Sequence, residues 1–206
     1  MAPDGNNGRG GYHHGSLREA LTQAATSMIA ERGLAGFALA ELARALGVST
    51  SAPYKHFRDR TAVLAEVARR GFVQLATDLE AARRETGSDL IGAVERCAQA
   101  HLAFASRDPP VYAAMFEAVF PRGEHQEVVH AREAAFHVLH EAARASVSRG
   151  TAPNRPPTHM VALHVWTMTH GIADTFVNHD GDGRRLLPMA PEAGLLLYLG
   201  SLGLIR

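Results

Sequence analysis

Leu39–Phe57, LAELARALGVSTSAPYKHF, is the stretch whose reading decides the fold. Its first half puts Leu39, Leu42, Ala43 and Leu46 on one helical face, which predicts a short helix over Ala40–Leu46, and Gly47 supplies the left-handed residue that stops it. Gly47-Val48-Ser49 is then a tight turn. Ser49 can cap a following helix whose last apolar anchor is Phe57, so that helix is barely two turns long, with Pro53 in or just beyond its first turn. Two short helices about a tight turn make the helix-turn-helix plan, whose second helix enters the DNA major groove. Thr50, Ser51, Tyr54, Lys55 and His56 crowd donors and acceptors onto that second helix. Hydroxyls and Lys meet base edges, and Tyr, Lys and Arg hold phosphates. Periodicity alone fits equally well a small bundle in which Tyr54 and Phe57 are core and Lys55, Arg58 and Arg60 are solvated.

Upstream, Ser16-Leu17-Arg18-Glu19 reads as a capping box, followed by Leu21, Ala24, Ala25, Met28 and Ile29 at helical spacing up to Gly33. Residues 1–15, rich in Gly, Asn and His, read as a flexible arm. Downstream, Asp59 reads as the cap of a long helix to about Glu85, with Val63, Leu64, Val67, Phe72, Leu75 and Leu79 buried and Gly71 as a place to bend. Further helices are expected from Ser88, from Asp108-Pro109-Pro110 to near Phe120, over 124–148, over 158–178 and over 191–204. No strand pattern appears, so the chain reads as all-α, with about nine helices.

Lys plus Arg and Asp plus Glu both number 21, which excludes a polybasic coat protein and an acidic disordered chain. Residues 1–60 carry a net +2 and the remainder −2, so any nucleic-acid contact is local. The single Cys97 forms no internal disulfide, and no apolar run reaches the roughly 20 residues of a membrane span. A cytoplasmic protein without membrane attachment is the expectation.

Three segments in order, AATSMIAERG (24–33), ELARALGVSTSAPYKHF (41–57) and RDRTAVLAEV (58–67), resemble the DNA-binding domain of the TetR family of bacterial transcriptional regulators. The opening YHHGSLREAL, the APYKHF segment and Trp166-Thr167-Met168-Thr169-His170-Gly171 resemble the branch whose ligand domain carries Trp, three residues, His-Gly. The resemblance implies a helix-turn-helix domain over 16–60 and a ligand-binding and dimerisation domain over 61–206. It puts Thr50 and Ser51 at base-facing positions. Tyr54, His56 and Arg60 fall at positions that bind phosphate or orient the helix, and Lys55 at either. Two departures stand out: Phe37-Ala38 replaces the usual Ser or Thr cap of the second helix, and Arg60 replaces the usual Lys.

Nine of the twelve histidines lie beyond residue 100. His101 shares a stripe with Val94, Cys97, Ala98 and Ala105, so it is either a core histidine bonded to a backbone carbonyl or a polar group in an apolar ligand pocket. His130, Glu133, His137 and Glu141, with His140 adjoining, share one helical face. That face suits zinc or nickel geometrically, but an apolar stripe opposite makes it most simply the wet side of an amphipathic helix. His170 and Asp174 are spaced to bond each other. Members of the family enclose a cavity in this domain, and Phe104, Tyr112, Phe116 and Trp166, with His101 and His170, are the expected ligand-binding residues. The 158–178 helix is apolar on several sides, and with the leucine-rich 191–204 helix it is the expected dimer interface.

The reading is a homodimeric one-component repressor, not an enzyme, with no cofactor or metal. It binds a palindromic double-stranded DNA operator and is released by a small-molecule effector. Its rivals are a ligand-free DNA-binding regulator acting through a protein partner and a metal-dependent enzyme using the histidine-rich half.

Overall fold

The computed structural model describes residues 14–85, 92–149 and 156–177, and Cα proximity divides the chain into two units, Met1–Val63 and Leu64–Arg206. Among the described residues are seven α-helices and one 3-10 turn, with no strand. Residues 1–13 of the expected arm, the 86–91 break with its Ser88 cap, the polar loop after 178 and the 191–204 helix lie outside the described residues; His14 and Gly15, read as part of the arm, instead form the start of the first helix, so Ser16 stands inside that helix and is not its N-cap.

In the first unit, α1 (His14–Arg32) and α2 (Leu39–Ala45) bury Leu21, Ala25, Ile29, Leu39, Leu42 and Ala43. Burying each large apolar side chain contributes about 1.5–3 kcal/mol. The missing cap of α2 has a partial substitute. Ala38 has no side-chain acceptor, but Glu41 Oε2 accepts the Ala38 N–H at 2.9 Å, the backward half of a capping box. Arg32 Nη1 steadies the same carboxylate at 3.3 Å. Gly47 ends the helix at φ 65°, where its own N–H reaches the Arg44 carbonyl and the Val48 N–H reaches that of Ala43.

The expected second helix of the pair is instead a single 3-10 turn, Pro53–Lys55, preceded by a Ser49–Ala52 turn. Proline removes one N–H and its ring crowds the carbonyl four residues back, so an α-helix cannot start at Ser49 and run through Pro53 undisturbed. That turn and the 191–204 segment account for the difference from nine helices.

Helix α3 (Arg60–Glu85) starts where Asp59 Oδ1 accepts the Ala62 N–H at 2.8 Å, as expected of a cap. The second unit packs the remainder of α3 with α4 (Gly92–Arg107), α5 (Pro109–Phe116), α6 (Gln126–Arg149) and α7 (Thr158–Val177) around Phe72, Leu75, Leu79, Val94, Phe104, Tyr112, Leu139 and Val165. Gly71 has a packing role. A β-carbon there would lie 2.6 Å from Val111 Cγ1 and would overlap the Met115 sulfur, so only glycine lets α5 approach this closely. Helix α5 stops at Phe116, earlier than expected, and the chain turns through 117–125.

Candidate functional sites

The 3-10 turn sorts its residues sharply. Pro53 and Phe57 are buried, while Thr50, Ser51, Tyr54 and Lys55 are exposed. Tyr54 is 59% exposed, so the bundle reading that made it a core residue does not hold; Phe57, 3% exposed, alone fills that role. Ser51 Oγ pairs with Ser49 Oγ at 3.2 Å, whereas the side chains of Thr50, Tyr54 and Lys55 make no hydrogen bond among the described residues.

Behind this surface stand two arginines. Arg18 stacks its guanidinium 4.5 Å from the Phe57 ring centroid and donates from Nη1 to the His56 carbonyl at 2.9 Å. It thereby fixes the end of the turn that carries Lys55 and His56. Arg60 donates from Nη1 to the Leu34 carbonyl at 2.5 Å and lies 5.9 Å from the Phe37 ring centroid. The half-buried His56 and Arg60 therefore stand behind the exposed residues and are built into the unit. Sequence reasoning missed Arg18, and nothing in the spacing of residues 18 and 57 announces the contact.

In the second unit the six residues expected to bind a ligand come together. His101 Nε2 lies 3.2 Å from the Tyr112 hydroxyl, and that hydroxyl lies 2.9 Å from His170 Nδ1. Phe116 stacks on His170 with ring centroids 4.3 Å apart and lies 4.6 Å from Tyr112. Trp166 sits 5.1 Å from His101, and Phe104 sits 6.5 Å from Tyr112. The backbone-carbonyl partner considered for His101 is replaced by a phenol eleven residues on. His170 Nδ1 faces the Tyr112 hydroxyl.

Burial keeps this chain of groups neutral. His101, 1% exposed, has its pKa lowered to about 3, chiefly by desolvation and then by the neighbouring charge of His170. His170 is lowered by desolvation against the opposing pull of Asp174 and Glu117, and burial pushes the Tyr112 phenol upward. A neutral histidine offers one donor and one acceptor nitrogen. The Tyr112 hydroxyl carries one proton and donates to at most one ring, so at least one of the two facing nitrogens is an N–H that donates to it.

Phe116 also lines a cavity of about 400 Å³ with Phe72, Met115, Phe120, Val128 and Val129, together with Arg122, Glu124, His125, Gln126 and Arg132. The histidine stripe of α6 is solvent-facing: His130, Glu133 and His137 are exposed, opposite buried Val128, Ala135, Leu139 and Ala142. Ligand atoms of His137, His140 and Glu141 lie within 4.8 Å of one another, but the Glu141 carboxylate is already engaged by Arg144 Nη2 at 2.6 Å. Cys97 is buried against the Leu79 carbonyl, and desolvation raises its thiol to about 12, which leaves it unreactive at neutral pH. No described helix is long and apolar enough to cross a membrane.

Residues 21–67 match the sequence model of the tetR family of bacterial regulatory proteins, and residues 94–181 match that of a tetracyclin repressor-like C-terminal domain. Among solved structures the chain is similar to a Rhodococcus sp. RHA1 protein of unknown function, with 30% identity, 94% of this chain and 97% of that one covered, and a TM-score of 0.78. It shares its fold with the TetR-family regulator PfmR from Thermus thermophilus, at 20% identity over 88% of this chain and 96% of that one, with a TM-score of 0.64. It also shares it with AibR, solved in complex with isovaleryl coenzyme A and operator DNA, at 17% identity over 90% and 97% of the chains and a TM-score of 0.68. No curated protein matches the chain.

Proposed function

The chain belongs to the TetR family of helix-turn-helix DNA-binding transcriptional regulators, which are not enzymes, and on that premise we propose that it is a homodimeric repressor released from a palindromic operator by a small-molecule effector. The observation that carries the DNA half is the sorting at the 3-10 turn, where Thr50, Ser51, Tyr54 and Lys55 are exposed over a buried Pro53 and Phe57. We assign Thr50, Ser51 and Lys55 to base edges and Tyr54 to phosphate, with His56 and Arg60 orienting the turn. Arg60 keeps the charge of the usual Lys, but its bond to the Leu34 carbonyl favours positioning over direct phosphate binding.

The effector half rests on Phe116, which borders the cavity and packs against Tyr112 and His170. A molecule in the cavity that meets this ring acts through it on Tyr112 and His170. The contacts of Trp166 and His170 favour the Trp-x3-His-Gly branch of the family. AibR, solved with both an acyl thioester and operator DNA, supports the same logic of two ligands on one fold. Arg60 and Phe72 stand on one continuous helix, α3, which is the natural route for coupling. On α7, Met160 and Leu163 are 37% and 48% exposed, which suits a dimer face.

Selection of bound fragments from a genomic DNA pool tests this reading. A two-fold symmetric consensus is the expected result, and recovery of unrelated fragments contradicts it.

A further inference from the structure

His125 combines two features that packing alone does not call for. It is a residue with a β-carbon held at φ 54°, among the described residues the one non-glycine with positive φ, and its buried Nε2 has no hydrogen-bond partner among them. Both are unfavourable for the unliganded fold. The ring is fixed from both sides, with Nδ1 3.1 Å from Glu127 Oε1 and the Phe120 ring edge-on at 5.6 Å. Nε2 is thus the one nitrogen of the ring left for a ligand to meet.

The cavity that His125 lines supplies the rest. Arg122 and Arg132 line it too, and neither has an ion-pair partner among the described residues. Against them stands Glu124, so the lining carries a net positive charge. Phe72, Met115, Phe116, Phe120, Val128 and Val129 give it apolar walls, Gln126 adds a neutral polar group, and about 400 Å³ lies within the size range of small-molecule sites.

We propose that this cavity binds an apolar-tailed carboxylate, its hydrocarbon against Phe72, Met115, Phe116 and Phe120 and its carboxyl group accepting from the two guanidinium groups beside the unpartnered His125 Nε2. The proposal deepens the effector reading above by naming the chemical class, and it rests on that reading only for the link to DNA release. A neutral alcohol of the same shape fills the apolar walls but leaves the arginines without an anion.

The test is calorimetric titration of the full chain with a panel of straight-chain and phenylalkyl carboxylates of six to ten carbons, each paired with its alcohol. At least one carboxylate should bind ten-fold or more tighter than its alcohol. His125→Gly, which removes the imidazole and relieves the positive φ, should lose that preference, with Tm measured alongside to show that the variant is folded, and Arg132→Gln should weaken it. Equal binding of acid and alcohol, no binding by any member, or unchanged preference in both variants overturns the proposal. Operator release is measured separately. A carboxylate that binds through His125 without releasing DNA overturns the regulatory reading and leaves the site standing; a neutral effector that releases DNA does the reverse.

Discussion

The 3-10 turn of the first unit and the histidine cluster of the second use polar side chains in opposite ways. At the turn, Thr50, Tyr54 and Lys55 stand in solvent without hydrogen-bond partners among the described residues, and their support comes from Phe57, Arg18 and Arg60 beneath. In the cluster, His101 and Tyr112 are almost wholly buried and satisfy each other. Removing an exposed reader should change binding and spare the fold. Removing a buried group should change stability first, because the partner left behind stays desolvated.

The largest effect expected from this contrast is at Phe57. Phe57→Ala should cost about 3–5 kcal/mol, seen as a lower Tm of the reading unit, and DNA binding should fall with it. Tyr54→Ala, three residues away and exposed, should leave Tm unchanged. Equal losses of Tm in the two variants would erase the distinction between wall and reader.

Tyr112→Phe is next. It keeps the ring but orphans nitrogens of both His101 and His170, so about 1–3 kcal/mol of stability should be lost in denaturant titration. A loss indistinguishable from zero would mean that the hydroxyl bridges nothing.

A smaller effect is the pH slope. His101 is lowered from 6.5 to about 3, so between those values the unfolded chain binds a proton that the folded chain does not. Stability from this group is therefore fully present above pH 6.5 and falls on acidification, by at most about 1.4 kcal/mol per pH unit. His101→Leu should flatten that slope, as read from Tm measured between about pH 4 and pH 6.5, inside the window set by the two values. An unchanged slope would place the acid sensitivity elsewhere.

The helices are legible because their signals are local: Asp59 before α3, Gly47 after α2, Pro109-Pro110 opening α5. The membership of the cluster is also legible. His101 betrays itself as a polar residue on an apolar stripe, and the aromatic residues share its domain. What the sequence does not disclose is which groups bond across helices. The Tyr112 hydroxyl joins residues 101 and 170, and Arg18 meets Phe57, through tertiary packing that no spacing rule encodes. Gly71 reads as a bend for the same reason, since the atoms that exclude a side chain there belong to Val111 and Met115 on another helix. Pro53 is a local signal that carries more weight than the helical pattern around it, and it converts the expected reading helix into a 3-10 turn. His125 leaves no trace in the sequence, because positive φ and an orphaned nitrogen are properties of the folded loop alone.

The central claim is that an exposed turn reads DNA while a buried cluster answers a ligand. Its most direct test is fluorescence anisotropy with the selected operator, comparing the wild type with Lys55→Ala at one salt concentration and matched Tm. The account predicts tight, sequence-selective binding by the wild type and a loss on the order of 1–3 kcal/mol in the variant, roughly 5- to 150-fold in affinity, with no change in stability. Equal affinity of the two proteins for operator and for scrambled DNA would contradict it.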